Sequence, residues 1–190
     1  MATDEIRDGF KFRGGALALD LPATLAGRIS GNLRESLQAP ADLDRWLVAA
    51  GLAVDAPEAT PEDLADALVL REALYALALA RAEARPLPDA DRGVLNAFAA
   101  EPAAPPWLDG EGRRRLFGEA KALLAGLARE GVELLGGDQA GRISQCQGPP
   151  CAVLFVDTSR KGDRRWCSMS ACGNKAKVAE FRRREKLAEG

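Results

Sequence analysis

Four cysteines, Cys146, Cys151, Cys167 and Cys172, stand in the last quarter of a 190-residue chain as C-x4-C-x15-C-x4-C. Two pairs of equal spacing, each turning tightly enough for two sulfurs to reach one point, describe the corners of a tetrahedral thiolate site. Zinc is the ion that most often fills such a site. Four thiolates close the coordination sphere and leave no position for a reactive water, so the expected cofactor is one structural Zn2+ per chain. A module of about 45 residues has a small core, and metal binding can contribute on the order of 10 kcal/mol to its folding. C-x4-C is looser than a C-x2-C knuckle, and the spacing alone leaves two other fates open for these thiols, a pair of disulfides or an iron–sulfur cluster.

Other chemistry is constrained by what the chain lacks. It contains no histidine, which excludes Ser-His-Asp and Cys-His nucleophilic catalysis and histidine metal ligation. No pattern assembles a nucleophile, a base and an oxyanion donor, so the chain is not expected to be an enzyme. Charge is divided unevenly. Residues 1 to 141 carry 15 Lys and Arg against 23 Asp and Glu, a balance of −8, and residues 142 to 190 carry 11 against 5, a balance of +6. An acidic body with a basic tail points to a phosphate-bearing partner for the tail, although Lys and Arg also simply solubilise small fingers. Charges interrupt every apolar run before it could cross a bilayer. The polar, acidic start, Met1 to Arg13, does not read as a secretion signal, and a cytoplasmic location is expected.

The elements that must carry these residues are mainly helical, since alanine and leucine dominate and aromatics are few. Gly14 to Leu21 reads as a short strand or a first helical turn, and Thr24 to Ser36 stays ambiguous. Leu43, Trp46 and Leu47 predict a helix over Ala41 to Ala50, closed by Gly51. Thr60 as N-cap, Pro61 at the first helical position and Glu62 and Asp63 in the first turn predict a long helix to about Arg81, ended by Pro86 and Pro88. Asp89 caps a helix through Ala100. Glu101 to Gly110 reads as a loop, and a further helix is expected from about Glu111 to Leu135 with Leu116, Phe117, Leu123, Leu124 and Leu127 buried. Gly136, Gly137 and Gly141 form a joint. Beyond it, Val153 to Val156 and Arg164 to Cys167 read as two strands of a hairpin between the cysteine pairs, and Ser170 caps a last helix from about Ala171 to Leu187. The fold class is thus mainly α: a helical domain over 1–138, then a small four-cysteine zinc-finger module over 142–190 built from a β-hairpin and a C-terminal helix.

The segment RISQCQGPPCAVLFVDTSRKGDRRWCSMSACGNKAKVAEFRRR resembles the CGNR zinc finger family. The likeness rests on the first cysteine pair, LFVDTSR, RRWCSM and the CGN-Lys-x-Lys opening of the helix, with Lys175 where the name-giving arginine stands. The body is similar to the ABATE domain usually found ahead of this finger. LALDL at Leu17 to Leu21, TLAGR at Thr24 to Arg28, LREALY at Leu70 to Tyr75 and Leu95-Asn96 carry that likeness. Pro22-Ala23-Thr24 replaces the usual valine-asparagine-threonine. The resemblance implies an intracellular protein of stress-linked transcription regulation.

The last helix supplies a physical reason for nucleic-acid contact. Lys175, Arg182 and Lys186 share a face at i, i+7, i+11 spacing, Arg183 flanks them, and Val178 and Phe181 are expected to pack inward against the hairpin. Arg160, Lys161, Arg164 and Arg165 add charge from the turn and second strand, and together the eight form a candidate DNA-contacting set. Trp166 is expected to shield the metal, and Asn174 to cap the turn. In the body, Asp20, Arg28 and Arg71 are candidates to line a pocket for a small-molecule effector, with a surface ion pair or a cap as the plainer use of each. The leading expectation is a DNA-binding regulator whose helical domain senses a ligand or assembles. The alternative is a protein-interaction adaptor whose finger docks an acidic partner, its own body included.

Overall fold

The computed structural model describes residues 5–148 and 150–188, with side chains through Arg182. Ile6 and Phe10 flank an Asp-Gly pair, and Asp8 and Gly9 adopt φ of 47° and 82°, the left-handed pair that a two-residue type I′ hairpin needs. The hairpin consists of β1 (Ile6–Arg7) and β2 (Phe10–Lys11). A short helix, α1 (Leu17–Asp20), and one 3-10 turn at Pro22–Thr24 follow. β3 (Leu25–Ala26) then pairs antiparallel with β4 (Arg34–Glu35). Helix α2 (Pro40–Ala49) starts where Asp42 accepts the amides of Gln38 and Ala39.

Helix α3 (Pro61–Ala82) is the axis of the body. Thr60 Oγ1 accepts the Asp63 amide at 3.1 Å and Asp63 accepts the Thr60 amide at 2.8 Å, a reciprocal cap. Its buried stripe, Ala67, Leu70, Leu74, Leu77 and Ala78, recurs at helical spacing. Helices α4 (Asp89–Ala100) and α5 (Ala120–Gly136) pack against it and against each other. A Cβ at Gly131 of α5 would lie 2.7 Å from Leu74 Cδ2 and 3.3 Å from Leu95 Cδ1. Glycine there lets the three helices approach closely.

The helix expected from Glu111 begins later. Residues 106–116 form a hairpin, β5 (Pro106–Leu108) against β6 (Arg114–Leu116), and α5 starts at Ala120. Asp109 explains the difference. It accepts the amides of Glu111 and Arg113 and pairs with the side chains of Arg113 and Arg115, fixing a turn through Gly112 at φ 73°. Leu116 is only half-buried and Phe117 is exposed, so neither is a core residue of α5.

Past a 3-10 turn at Ala140–Arg142, β7 (Ile143–Gln145) pairs antiparallel with β8 (Leu154–Val156), in the register Ile143 to Val156 and Gln145 to Leu154. This hairpin encloses the first cysteine pair; the expected partner strand over Arg164 to Cys167 does not form. The groups a ladder would use there are already engaged. The Arg164 amide goes to the Asp157 carboxylate, the Arg164 guanidinium takes the carbonyls of Trp166 and Cys167, and the Arg165 carbonyl takes the Gln147 amide. A single π-helical turn, Met169–Gly173, leads into α6 (Asn174–Ala188). Ser168 caps that turn through the Ala171 amide, in place of the expected Ser170.

Strand β8 is a wall shared by two cores. Leu154 and Val156 belong, with Ile143, to the continuous apolar core of the helical body, while Phe155, pointing the other way, packs among the cysteines. The Val156 amide donates to the Gly14 carbonyl at 2.8 Å, so the N-terminal segment runs alongside.

Candidate metal centre

Each cysteine is placed by a different piece of backbone. Cys146 follows β7, and its amide donates to the Val153 carbonyl. A tight turn, closed by the Cys151 amide on the Gly148 carbonyl at 2.6 Å, folds Cys151 back toward it. Cys167 donates its amide to Cys146 Sγ at 3.4 Å, and Cys172 lies inside the π-helical turn rather than in the first turn of α6. A Cβ at Gly148 would sit 3.0 Å from Cys172 Cβ and 3.6 Å from Cys146 Sγ, so the turn tolerates little bulk. Phe155 and Trp166 cover the cluster.

The four sulfurs lie within 4.8 Å of one another, with Cys151–Cys167 and Cys167–Cys172 separations of 3.8 Å. A tetrahedral ion with Zn–S bonds of about 2.3 Å places its sulfurs about 3.8 Å apart. The separations therefore fit zinc, and they leave the thiols unbonded to one another. Without a cation the cluster opposes its own ionisation. Cys146 is held as the thiolate that accepts from Cys151 and Cys167, and the thiols of those two are pushed up in consequence, Cys151 to about 11. A divalent cation reverses that balance and draws all four into the thiolate form.

The N-terminus reaches this module directly. Glu5 accepts from both Ser168 Oγ, at 2.6 Å, and Ser170 Oγ, at 2.9 Å, and also faces Arg13 at 3.4 Å. The two serine hydroxyls, with Arg13 and Arg164, hold the Glu5 carboxyl below its ordinary range against the opposing effect of burial. Sequence reasoning missed this brace; the Asp-Gly pair flanked by Ile6 and Phe10 was the available signal for a hairpin.

The expected DNA-contacting residues divide into groups. Arg160, Lys161, Arg165, Lys175 and Arg182 are exposed, and none pairs with a carboxylate among the described residues. Arg164 is different: it is half-buried, clamps the carbonyls of Trp166 and Cys167 and lies 4.8 Å over the Phe155 ring. It is committed to the finger's own structure. The side chains of Arg183 and Lys186 lie outside the described residues. Lys177, which sequence reasoning left out of that set, joins Arg165, Trp166 and Glu180 along a shallow groove beside α6. Val178 and Phe181 do not pack inward. They are 49% and 61% exposed, because Phe155 and Trp166 already fill the space over the cysteines. Asn174 Nδ2 donates to the Ser170 carbonyl at 3.4 Å.

None of the three body candidates lines the cleft beside the finger or the groove beside α6. Asp20 is buried and accepts the Gly14 amide at 2.7 Å; burial pushes its carboxyl up to about 6. Arg28 and Arg71 meet instead across Glu72. Arg28 grips it with two bonds of 2.6 and 2.8 Å, and Arg71 donates to it at 2.8 Å while also holding Glu35 at 2.7 Å. Burial raises the Glu72 carboxyl, and the two guanidiniums outweigh it. Each candidate is thus engaged by its own chain, although the Arg28 Nε–H is buried without a hydrogen-bond partner. The large cavity lies elsewhere, between residues 11–34 and the finger, with a volume of about 530 Å³.

Residues 15–138 match the ABATE family, described as "Putative stress-induced transcription regulator", and residues 142–185 match the CGNR zinc finger. No curated protein matches the chain. No helix among the described residues is long and apolar enough to cross a membrane. The chain belongs to the ABATE family and carries a CGNR zinc finger with one structural Zn2+ held by Cys146, Cys151, Cys167 and Cys172.

Proposed function

We propose that this family member is a non-enzymatic, cytoplasmic transcription regulator whose finger, residues 142–190, contacts DNA while the helical part, 1–138, senses a ligand. The observation that carries the reading is the exposed cationic surface on a metal-ordered module. Arg160, Lys161, Arg165, Lys175 and Arg182 stand free of carboxylates among the described residues, and Lys177 adds to them. Neutralising several phosphates releases counterions and gives binding that weakens steeply with salt, by about one power of salt concentration per contact. Exposed Val178 and Phe181 on the same helix leave apolar surface beside those charges.

Fluorescence anisotropy with duplex DNA across a salt series tests this. Arg165→Glu, Lys175→Glu and Arg182→Glu should each weaken binding and lower the salt slope by about 1. Unchanged affinity and slope in the triple variant would remove DNA from the reading and favour an acidic protein partner.

A further inference from the structure

We propose that the cleft between the N-terminal segment and the finger binds a small aliphatic anion, an alkyl carboxylate or an alkyl phosphate. Its volume of about 530 Å³ lies in the roughly 300–1,000 Å³ span of small-molecule sites. Lys11, Arg13 and Arg34 enter its lining from the body and Lys175 from α6, and no carboxylate lines it. Lys11, Arg34 and Lys175 form no ion pair with a described residue, while Arg13, whose Nε–H makes no hydrogen bond, faces Glu5 at 3.4 Å. Four cations converging on one cavity, three of them without an ion-pair partner among the described residues, recruit an anion. The remaining wall is mostly small and aliphatic, leucine, valine, proline, alanine and glycine, with Cys151 and Cys172 of the metal centre at its edge and no aromatic ring. Such a wall suits an alkyl chain and offers no face on which a nucleobase would stack.

The site deepens the sensing half of the proposed function and places that sensor at the seam between body and finger. It also links the two halves, since Lys175 belongs both to this lining and to the DNA-contacting set. An anion in the cleft neutralises Lys175 and competes with phosphate for it.

The test is calorimetric titration of the full-length, zinc-loaded protein with decanoate, decyl phosphate, decanol and inorganic phosphate, with octanoate as a shorter chain. Saturable 1:1 binding of decanoate, decyl phosphate or both is expected, and the preferred headgroup identifies the source. Decanoate should bind about tenfold more tightly than octanoate, since two further methylenes are buried. Arg13→Gln and Lys175→Gln should each weaken binding about tenfold, and Ala179→Trp, which fills the cleft from an exposed position on α6, should abolish it. Lys121→Gln, on α5, should change nothing. Decanol binding as well as decanoate, inorganic phosphate binding as well as decyl phosphate, full binding by Ala179→Trp, or no binding of any probe would each overturn the proposal. DNA anisotropy on the same samples separates the two claims. Loss of DNA binding with calorimetric binding intact sinks only the DNA half of the function, whereas intact DNA binding without any probe binding sinks only this site.

Discussion

At the scale of single residues the cysteines dominate, because each thiol is useless to its neighbours without a shared cation. Cys146 and Cys167 are buried, and Cys167 separates Cys151 from Cys172 at equal 3.8 Å spacings. Cys146→Ser should therefore abolish stoichiometric zinc, read by metal analysis of purified protein, and lower stability by several kcal/mol, since structural zinc supplies on the order of 10 kcal/mol to such modules. Retention of one equivalent of zinc by that variant would refute the four-thiolate assignment. Asp20 allows a second prediction. Its folded value of about 6 exceeds the unfolded value of about 3.9, so between those limits the native state holds a proton that the unfolded chain has released. Stability from this group is fully present below about pH 4 and is lost as pH rises toward 6, by roughly 3 kcal/mol at most. Asp20→Asn should flatten the stability curve in that window, as measured by denaturant titration at stepped pH; an unchanged slope would show that Asp20 is already ionised there. The cysteine cluster was legible because its residue types permit little else. The fate of Asp20, Arg28 and Arg71 was not, because a charged residue reads the same whether it faces a pocket or is consumed by a partner such as Glu72, and the choice of partner is made by the fold.

At the scale of elements, β8 sets how the finger is held. Its alternation sends Phe155 to the cysteines and Leu154 and Val156 to the helical core. Truncations on the two faces should consequently differ in kind. Phe155→Ala, about 3–5 kcal/mol by the usual cost of a large core deletion, should accelerate zinc transfer to a chelator, whereas Leu154→Ala, about 2–5 kcal/mol, should lower the melting temperature while leaving zinc content at one equivalent. Equal chelator sensitivity in both would mean that the strand does not divide the two cores. Helix α3 was legible because its cap, dipole-matched acids and apolar spacing agree, and α2 and α4 through their apolar spacing. Asp89, expected as the cap of α4, instead lies inside it, and the N-cap is Pro88 with no side-chain bond. The helix expected from Glu111 failed because local turn chemistry at Asp109 outcompetes propensity over residues 106–116. The finger's second strand failed for a related reason: Asp157 and the Arg164 guanidinium take backbone groups that a ladder would have needed. Both are side-chain interventions in the backbone's own hydrogen bonding, which a propensity pattern does not register.

For the whole molecule, the question is whether body and finger unfold together. Opposite net charge suggested electrostatic docking, yet the seam is largely apolar, built from Ile143, Leu154 and Val156 in the body's core, with the Glu5 brace and the Gly14–Val156 hydrogen bond beside it. Charge does contribute through Glu5, whose lowered pKa makes its support complete above the unfolded value of about 4.3 and lost as pH falls through the lower folded value. Acidification also protonates the thiolates, so metal loss and brace loss act in the same direction. The core of the body is built away from the cysteines: α3, α4 and α5 pack on one another through Leu70, Leu74, Leu95, Leu123 and Leu127. Chelation at neutral pH should then uncouple the two parts. Hydrogen exchange is expected to accelerate over residues 146–173, the Val156 amide included, while amides of α3, α4 and α5 stay protected and most far-ultraviolet helical signal survives. A single cooperative loss of protection across the chain would mean that zinc holds up the body as well, and that β7 and β8 transmit the loss of the metal into the helical core.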